Sequence, residues 1–230
     1  MGEPGGSPDE LRTPLLTLDR GLQVLALLSQ AREGLTVREL ADALGVHRAV
    51  VYRLLTTLEL RGLVRRDGDG RHRLGTGVLE LARGVARDLQ AAALPVLADL
   101  AEELDATAAL TVADGDEAVA LLVVEPTRAP MHVAYRPGRR HPLRLGASGK
   151  AILAGRPAAA GEPAEIALAR KRGYASSAGE IQPGAVGIAA PVVVDGRADA
   201  SVGAVSLAPF DGRAAKAVRA AARAVAAALD

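Results

Sequence analysis

Apolar positions recur at helical spacing through the first third of the chain and give way to alternation later. From Thr17 to Leu28, "TLDRGLQVLALL" sets Leu18, Leu22, Leu25 and Leu28 along one helical stripe, with Thr17 or Asp19 as cap. In "GLTVRELADALG", Thr36 precedes a stripe of Val37, Leu40, Ala41 and Leu44, and Glu39 stands three residues after the threonine. That spacing is the signature of a capping box, and Gly45 stops the helix. A further helix is expected from His47 to Arg61, with Val51, Leu54, Leu55 and Leu58 inward and Gly62 closing it. Two helices joined by a short glycine turn make a helix-turn-helix.

Immediately beyond, "LVRRDGDGRHRLG" places Leu63-Val64 and Arg73-Leu74 around Asp67-Gly68-Asp69-Gly70, a strong hairpin signal. A helix-turn-helix followed by a hairpin is a winged helix. "GVLELARGVARDLQ" then carries Val78, Leu81, Val85 and Leu89 on one stripe and reads as a linking helix, followed by an amphipathic helix from Ala91 to Leu104. The pattern changes after that point. "TAALTVADGDEAVALLVVEP" holds two strands turning at Asp114-Gly115-Asp116, "MHVAYRPG" a third, and "GIAAPVVVDGRADASVGAVSLAP" two more turning at Asp195-Gly196. Helices are expected around Ser148–Ala154, Pro163–Arg172 and Arg213–Leu229. Hairpin-joined strands covered by helices predict an antiparallel α+β domain. The organisation read from the chain is a disordered leader over 1–13, a winged helix-turn-helix domain over 14–75, a linker helix over 76–91 and a second domain over 92–230.

Composition sharpens this picture in two places. With one Phe, three Tyr and no Trp, the core must be built from Ala, Leu and Val. With no cysteine, disulfides and thiolate metal sites are excluded. No apolar run reaches the ~18 residues of a membrane span, and the acidic, Gly- and Pro-rich start is unlike a signal peptide, so a cytoplasmic location is expected.

The formal net charge of +1 hides a local bias. Between Arg48 and Arg73, seven arginines stand against Glu59, Asp67 and Asp69, a local excess of +4 where a phosphate backbone would lie. Arg48 and Arg53 on the second helix suit guanine edges or phosphates, against the ordinary alternative of a solvated helix face. His47 is either a phosphate donor or a turn residue. Arg71 and His72, near the wing tip, are expected to touch the backbone or minor groove.

The other motifs carry less chemistry. "GASGKA" lacks the G-x-x-x-x-G-K-[ST] spacing of a nucleotide loop, and Ser148 with Lys150 misses S-x-x-K. A helix N-terminus with Lys150 beside it suits a ligand carboxylate; the alternative is a solvated lysine. His47, His72, His132 and His141 are too scattered for a metal site. Glu180 reads as holding a loop through backbone N–H groups. Ser206 is either a pocket hydroxyl or a serine bonded to its own backbone. No paired carboxylates, nucleophile with base, or metal cluster supports catalysis, and no cofactor is expected.

Taken in order, "LDRGLQVLALL", "LTVRELADALGVHRAVVYRLLTTLELRGLV", "GRHRLG", "HPLRLGASGKAILA", "RGYASSAGE" and "GAVGIAAPV" resemble the IclR-type transcriptional regulators from Thr17 to Leu229. The resemblance implies a winged helix-turn-helix domain, a linker helix and a GAF-like effector-binding domain. It also implies a homodimer or dimer of dimers on double-stranded operator DNA, with repression or activation set by a small-molecule effector such as an organic acid or aromatic catabolite. On it, Thr36, His47, Arg48, Ala49, Tyr52, Arg53, Arg71 and His72 are the expected DNA-contacting residues. Leu143, Gly146, Ala147, Ser148, Gly149, Lys150, Glu180, Gly187, Ala189 and Ser206 are the expected effector-site residues.

Three departures stand out: Ala49 and Val50 where the family has Ser or Thr, a short segment between "AILAG" and "RGYA", and Gly187 where a small side chain is usual. The alternatives are a constitutive DNA-binding dimer without a ligand and an enzyme built on the second domain.

Overall fold

A computed structural model describes residues 14–127 and 135–229. The expected leader over 1–13 lies outside the described residues, as do residues 131–134 of the expected third strand and His132 with them. The chain divides into two compact units, the first ending at Val85 and the second beginning at Ala86.

The first unit holds α1 (Leu16–Gln30), α2 (Val37–Leu44), α3 (Arg48–Leu60), the hairpin β1 (Val64–Arg66) and β2 (His72–Leu74), and the short α4 (Gly77–Ala82). Its core is Val24 and Leu28 of α1, Leu40 and Ala41 of α2, Val51, Leu54, Leu55 and Leu58 of α3, and Val64. The α2 cap is the expected one. Thr36 Oγ1 accepts from the Glu39 N–H at 3.3 Å, and Glu39 Oε2 accepts from the Thr36 N–H at 2.7 Å. The N-terminus of α1 differs, since Leu15 occupies its cap position and no side chain caps it. The inward stripe of α1 is corrected too. Gly21, Val24 and Leu28 face the core, whereas Leu18 and Leu22 are 59% and 57% exposed. The helix carries apolar residues on more than one face, and periodicity alone does not say which face is buried.

The expected continuous helix over 76–91 is also corrected. It is broken after Ala82, and Ala86 adopts a left-handed conformation (φ 44°) before α5 (Arg87–Leu104) begins. Leu81 and Val85 are accordingly exposed.

In the second unit, β3 (Thr107–Asp114), β4 (Glu117–Val124), β5 (Arg140–Pro142), β6 (Ala175–Ala178), β7 (Val186–Val194) and β8 (Arg197–Ser206) form one antiparallel sheet in the order β5-β4-β3-β8-β7-β6. Both expected hairpins form. Asp195 and Gly196, at φ 50° and 76°, supply the two left-handed residues that a tight β7–β8 turn demands. The short strands β5 and β6 had no clear alternation in sequence.

Alternation along the strands assigns the two faces of the sheet. Ala108 and Leu110 of β3, Ile188, Ala190 and Val192 of β7, and Val202 of β8 pack with α5 and with α8 (Ala214–Ala227). The helices meet this face through Ala93, Ala101, Ala217, Ala221 and Ala222 among Leu97, Leu100, Val218 and Val225, so small side chains allow the close approach that a core poor in aromatics needs. The opposite face carries α6 (Gly146–Ala154), whose Ala147, Ala151 and Ala154 pack with Ile166 and Ala169 of α7 (Ala164–Arg172). A Cβ on Gly149 would stand 2.3 Å from the Leu143 carbonyl oxygen, so only glycine lets α6 lie this close to the segment before it.

Candidate nucleic-acid interface and ligand cavity

The apolar face of α3 is fully spent on the core, which leaves His47, Arg48, Ala49, Tyr52 and Arg53 on the outer face, all exposed. His47 is the N-cap, its Nδ1 accepting from the Ala49 N–H at 3.3 Å. That bond puts the ring proton on Nε2 when the ring is neutral, directed away from the helix end and free to donate. The two alternatives for His47, turn residue and donor, are therefore compatible. Among the described residues, Arg48 and Arg53 form no ion pair. A surface depression beside Arg48 is lined by Thr36, Val37, Arg38, Arg48, Tyr52, Arg66, Gly70 and the edge of His72, bringing α2, α3 and the wing together around three arginines. Arg38 and Arg66 were not among the expected contacts; they join the depression from α2 and the wing.

Two of the expected DNA-contacting residues are also engaged within the unit itself. His72 is 4% exposed and turns inward, with Nε2 3.4 Å from Glu59 Oε1 of α3, so it anchors the wing to the recognition helix. Arg71 folds back, Nη1 donating to the Gly34 carbonyl at 3.0 Å and to Glu39 Oε2 at 3.2 Å. It ties the wing to the capping box of α2. The Thr36 N–H and the Arg71 charge together hold the Glu39 carboxyl below the usual glutamate range. Period-two alternation points His72 to the core once Arg71 and Arg73 flank it, a signal the hairpin contained.

In the second unit a mostly apolar cavity of about 60 Å³ opens between the α6 N-terminus, the loop around residues 180–185 and strands β3, β7 and β8. Of the expected effector residues, Gly146, Ala147, Ser148, Glu180, Gly187 and Ala189 line it; Leu143, Gly149, Lys150 and Ser206 do not. Leu143 packs with Ala118 and Ile152. Ser206 Oγ accepts from the Ala208 N–H at 3.0 Å, the backbone-bonded alternative.

Lys150 follows neither of its expected alternatives. Its side chain is 5% exposed, and Nζ donates to Glu165 Oε2 and Glu180 Oε1, each at 2.7 Å. Burial alone would lower its pKa; the two carboxylates outweigh that and raise it, so it is a charged structural link between α6, α7 and the 180 loop.

The α6 N-terminus is already capped. Glu180 Oε2 accepts from the Gly146 N–H, and Ser177 Oγ from the Ala147 N–H, both at 2.9 Å. Glu180 thus holds the loop through a backbone N–H, as its place in the motif suggested. Burial pushes its carboxyl up, but Lys150 and the Gly146 N–H prevail and hold it below the usual range. A Cβ on Gly187 would meet Ser177 Oγ at 3.1 Å and Ala147 Cβ at 3.3 Å, so the missing side chain leaves room for this cap.

Tyr135, Arg139, His141, Thr111, Ser177 and Gln182 also line the cavity and were not foreseen. They reach it from loops and from strands distant in sequence, with no motif to gather them. His141 Nδ1 lies 3.1 Å from the Pro142 carbonyl and its Nε2 lies 3.4 Å from Ser148 Oγ. Burial lowers its pKa and the Arg139 charge adds to that, against the Pro142 carbonyl and Glu117, which raise it; the net direction is down.

Among the described residues, no helix is long and apolar enough to cross a membrane and no group of three or more His, Asp or Glu side chains is placed to hold a metal ion.

Residues 17–68 match the IclR helix-turn-helix domain, and residues 84–164 match the C-terminal domain of the bacterial transcriptional regulator IclR. The chain is 34% identical over 124 residues to the HTH-type transcriptional regulator KipR of Bacillus subtilis, covering 53% of this chain and 49% of that protein. It is 36% identical over 140 residues to the HTH-type transcriptional regulator Rv1719 of Mycobacterium tuberculosis, covering 60% and 53%. The matches thus span about half the length of these curated relatives. A solved IclR regulator from Alicyclobacillus acidocaldarius superposes with a TM-score of 0.79 at 26% identity, covering 95% of this chain and all of that one. An IclR homologue from Microbacterium hydrocarbonoxydans, solved in complex with 4-hydroxybenzoate, shares the fold with a TM-score of 0.80 at 24% identity, covering 93% and 98%.

Proposed function

This chain belongs to the IclR family of bacterial transcriptional regulators, and we propose that it is itself a DNA-binding regulator whose operator affinity is set by a small molecule in the cavity of its second unit. The observation that carries the reading is the outer face of α3. Its inner face is buried completely, while Arg48 and Arg53 remain exposed without a carboxylate partner among the described residues. Unpaired guanidinium groups on a helix beside a basic wing suit phosphates and the guanine edge in the major groove. His47 and Tyr52 add polar reach, and Arg38 and Arg66 extend the positive surface.

A homodimer would set two such helices about one helical turn apart, so the operator is a near-palindrome. The relatives are named as regulators, which favours this reading over an enzyme built on the second unit. The cavity favours a ligand-responsive regulator over a constitutive one, and the 4-hydroxybenzoate held by the Microbacterium homologue supports an organic effector.

Selection of binding sites from random duplex DNA tests the proposal. It predicts an enriched near-palindrome with half-sites separated by one turn or a multiple of it. Recovery of no consensus by the well-folded protein contradicts it.

A further inference from the structure

The second unit carries a concentration of positive charge that belongs neither to the α3 face nor to the cavity. It lies where the C-terminus of α7 meets α8, in a depression of about 280 Å³ lined by Arg170, Lys171, Arg172, Arg219 and Arg223. Gly173, Ala190 and Pro191 complete the lining, which includes no carboxylate. Arg170 is spent, donating to the Glu162 carboxylate and to the carbonyls of Leu153, Ala154 and Arg156. Among the described residues, Lys171, Arg172 and Arg223 have no hydrogen bond or ion pair. Arg219 uses Nε on the Ala215 carbonyl at 3.0 Å, one turn back, which leaves both of its Nη groups over. Glu165, across Arg172 in the adjoining groove, is taken by Lys150.

Cations at a helix C-terminus ordinarily compensate the helix dipole, and that end carries only about half an elementary charge. Four uncompensated cations exceed it severalfold, and two of the four stand on a different helix. The segment Ala214–Ala227 of α8 holds Lys216, Arg219 and Arg223 and no acidic residue. Arg219 and Arg223 are four apart, so their Cβ atoms are about 5–6 Å apart on one face, where like charges destabilise a helix. Gly173 brings the two helices' charges together. It caps α7 at φ 74°, and a Cβ there would stand 3.3 Å from Arg219 Cδ, so the glycine makes room for the arginine stem against the end of α7.

We infer that this depression is a second anion site, built for a compact oligophosphate, free or borne by a nucleotide. An oligophosphate packs several negative charges into the space of a few atoms and so relieves the repulsion of all four cations at once. The guanidinium forks suit phosphate oxygens in bidentate pairs, and Lys171 adds a point charge. A concave site suits a compact ion better than the long backbone of a duplex.

The test is calorimetric titration and thermal melting of the full chain with tripolyphosphate, ATP, orthophosphate and adenosine at one ionic strength. Tripolyphosphate and ATP are expected to bind and to raise the melting temperature, orthophosphate to bind far more weakly and adenosine not at all. Equal affinity for tripolyphosphate and ATP makes the phosphate chain the whole ligand, and tighter ATP adds the nucleoside; either result keeps the site. The first unit has its own arginine-lined depression, so variants decide where binding occurs. Arg219→Gln with Arg223→Gln should weaken tripolyphosphate on the order of tenfold or more, the scale of lost charged hydrogen bonds. Arg144→Gln, which removes an exposed charge elsewhere on the second unit, should change it little.

The inference is overturned if neither oligophosphate binds more tightly than orthophosphate, or if adenosine binds as well as ATP. It is overturned equally if the α8 pair keeps wild-type affinity while Arg48→Gln with Arg66→Gln loses it. An α8 pair that loses affinity for duplex DNA and none for tripolyphosphate would make the patch a DNA contact instead. The comparison among ligands needs no variant, so a poorly folding α8 pair does not shelter the idea.

Discussion

Arg71 Nη1 and Glu39 Oε2 lie 3.2 Å apart, and that contact joins the wing to the cap of the helix before the recognition helix. A residue that looked like a phosphate contact in the sequence is thus part of what fixes the wing in place. Arg71→Ala should lower the stability of the first unit by about 1 kcal/mol, the scale of a partly exposed ion pair with one backbone hydrogen bond. The salt dependence of DNA binding should stay close to wild type. Melting curves and salt titrations check this; an unchanged melt with a log–log slope shallower by about one would return Arg71 to the DNA interface.

His72 makes the same point from the inside. It is buried against Glu59, so His72→Ala removes a packed ring and leaves a hole under the hairpin. A loss of about 2–4 kcal/mol is expected, the usual range for truncating a large core side chain. Urea unfolding followed by circular dichroism measures it, and a loss under about 0.5 kcal/mol, typical of a surface change, would contradict the placement.

The Lys150–Glu180 pair predicts a pH dependence. The Glu180 carboxyl is held below its ordinary value, so the pair's contribution is complete above the ordinary carboxylate range and fades as the pH falls below about 4. The Lys150 pKa is raised, so on the alkaline side the contribution persists until the pH passes the ordinary lysine value. Lys150→Met should destabilise the second unit by about 1–3 kcal/mol at neutral pH and flatten its acid limb. Stability measured from pH 3 to 8 reads both; an acid limb identical to wild type would remove the pair from the account.

Gly187 sits where a methyl group would press on the Ser177 hydroxyl that caps α6. Gly187→Ala should weaken effector binding at modest cost in stability. Gly187→Phe should also destabilise, since overpacking commonly costs about 1–3 kcal/mol. Operator affinity without effector should be nearly unchanged in the Ala variant. Calorimetry and a mobility-shift assay check the pair of effects, and an Ala variant with wild-type ligand affinity would show that the wall has slack.

The first unit was largely legible in sequence because its signals are local. Thr36 with Glu39, the glycines at 45 and 62, and the Asp-Gly wing are each read within a few residues, and each stands where the spacing put it. What failed there was choice of face. Leu18, Leu22, Val24 and Leu28 offer two stripes on α1, and only the partners supplied by α2 and α3 decide between them. The break between α4 and α5 was hidden because "ARGVAR" keeps an apolar spacing through a left-handed alanine. In the second unit the small wall residues Ala147, Gly187 and Ala189 were reached through the family resemblance and not through periodicity, and each lines the cavity. Tyr135, Arg139 and His141 were not, since a loop and an edge strand without periodicity carry them. Lys150 was misread because its two partners lie 15 and 30 residues away.

The central claim is that the outer face of α3 binds DNA, and the most direct measurement is equilibrium binding to the selected operator across a range of salt. Wild type, Arg48→Ala and Arg53→Ala are compared, with melting curves confirming that each is folded. If about six phosphates are neutralised, the wild-type log–log slope is near −5, by a release of about 0.9 counterion per contact. Arg48→Ala is expected to lose about 1–3 kcal/mol on the selected site and much less on random DNA, the mark of a base contact. Arg53→Ala is expected to weaken binding to either DNA. Affinity that ignores salt, or folded variants that bind the operator as tightly as wild type, would contradict the account.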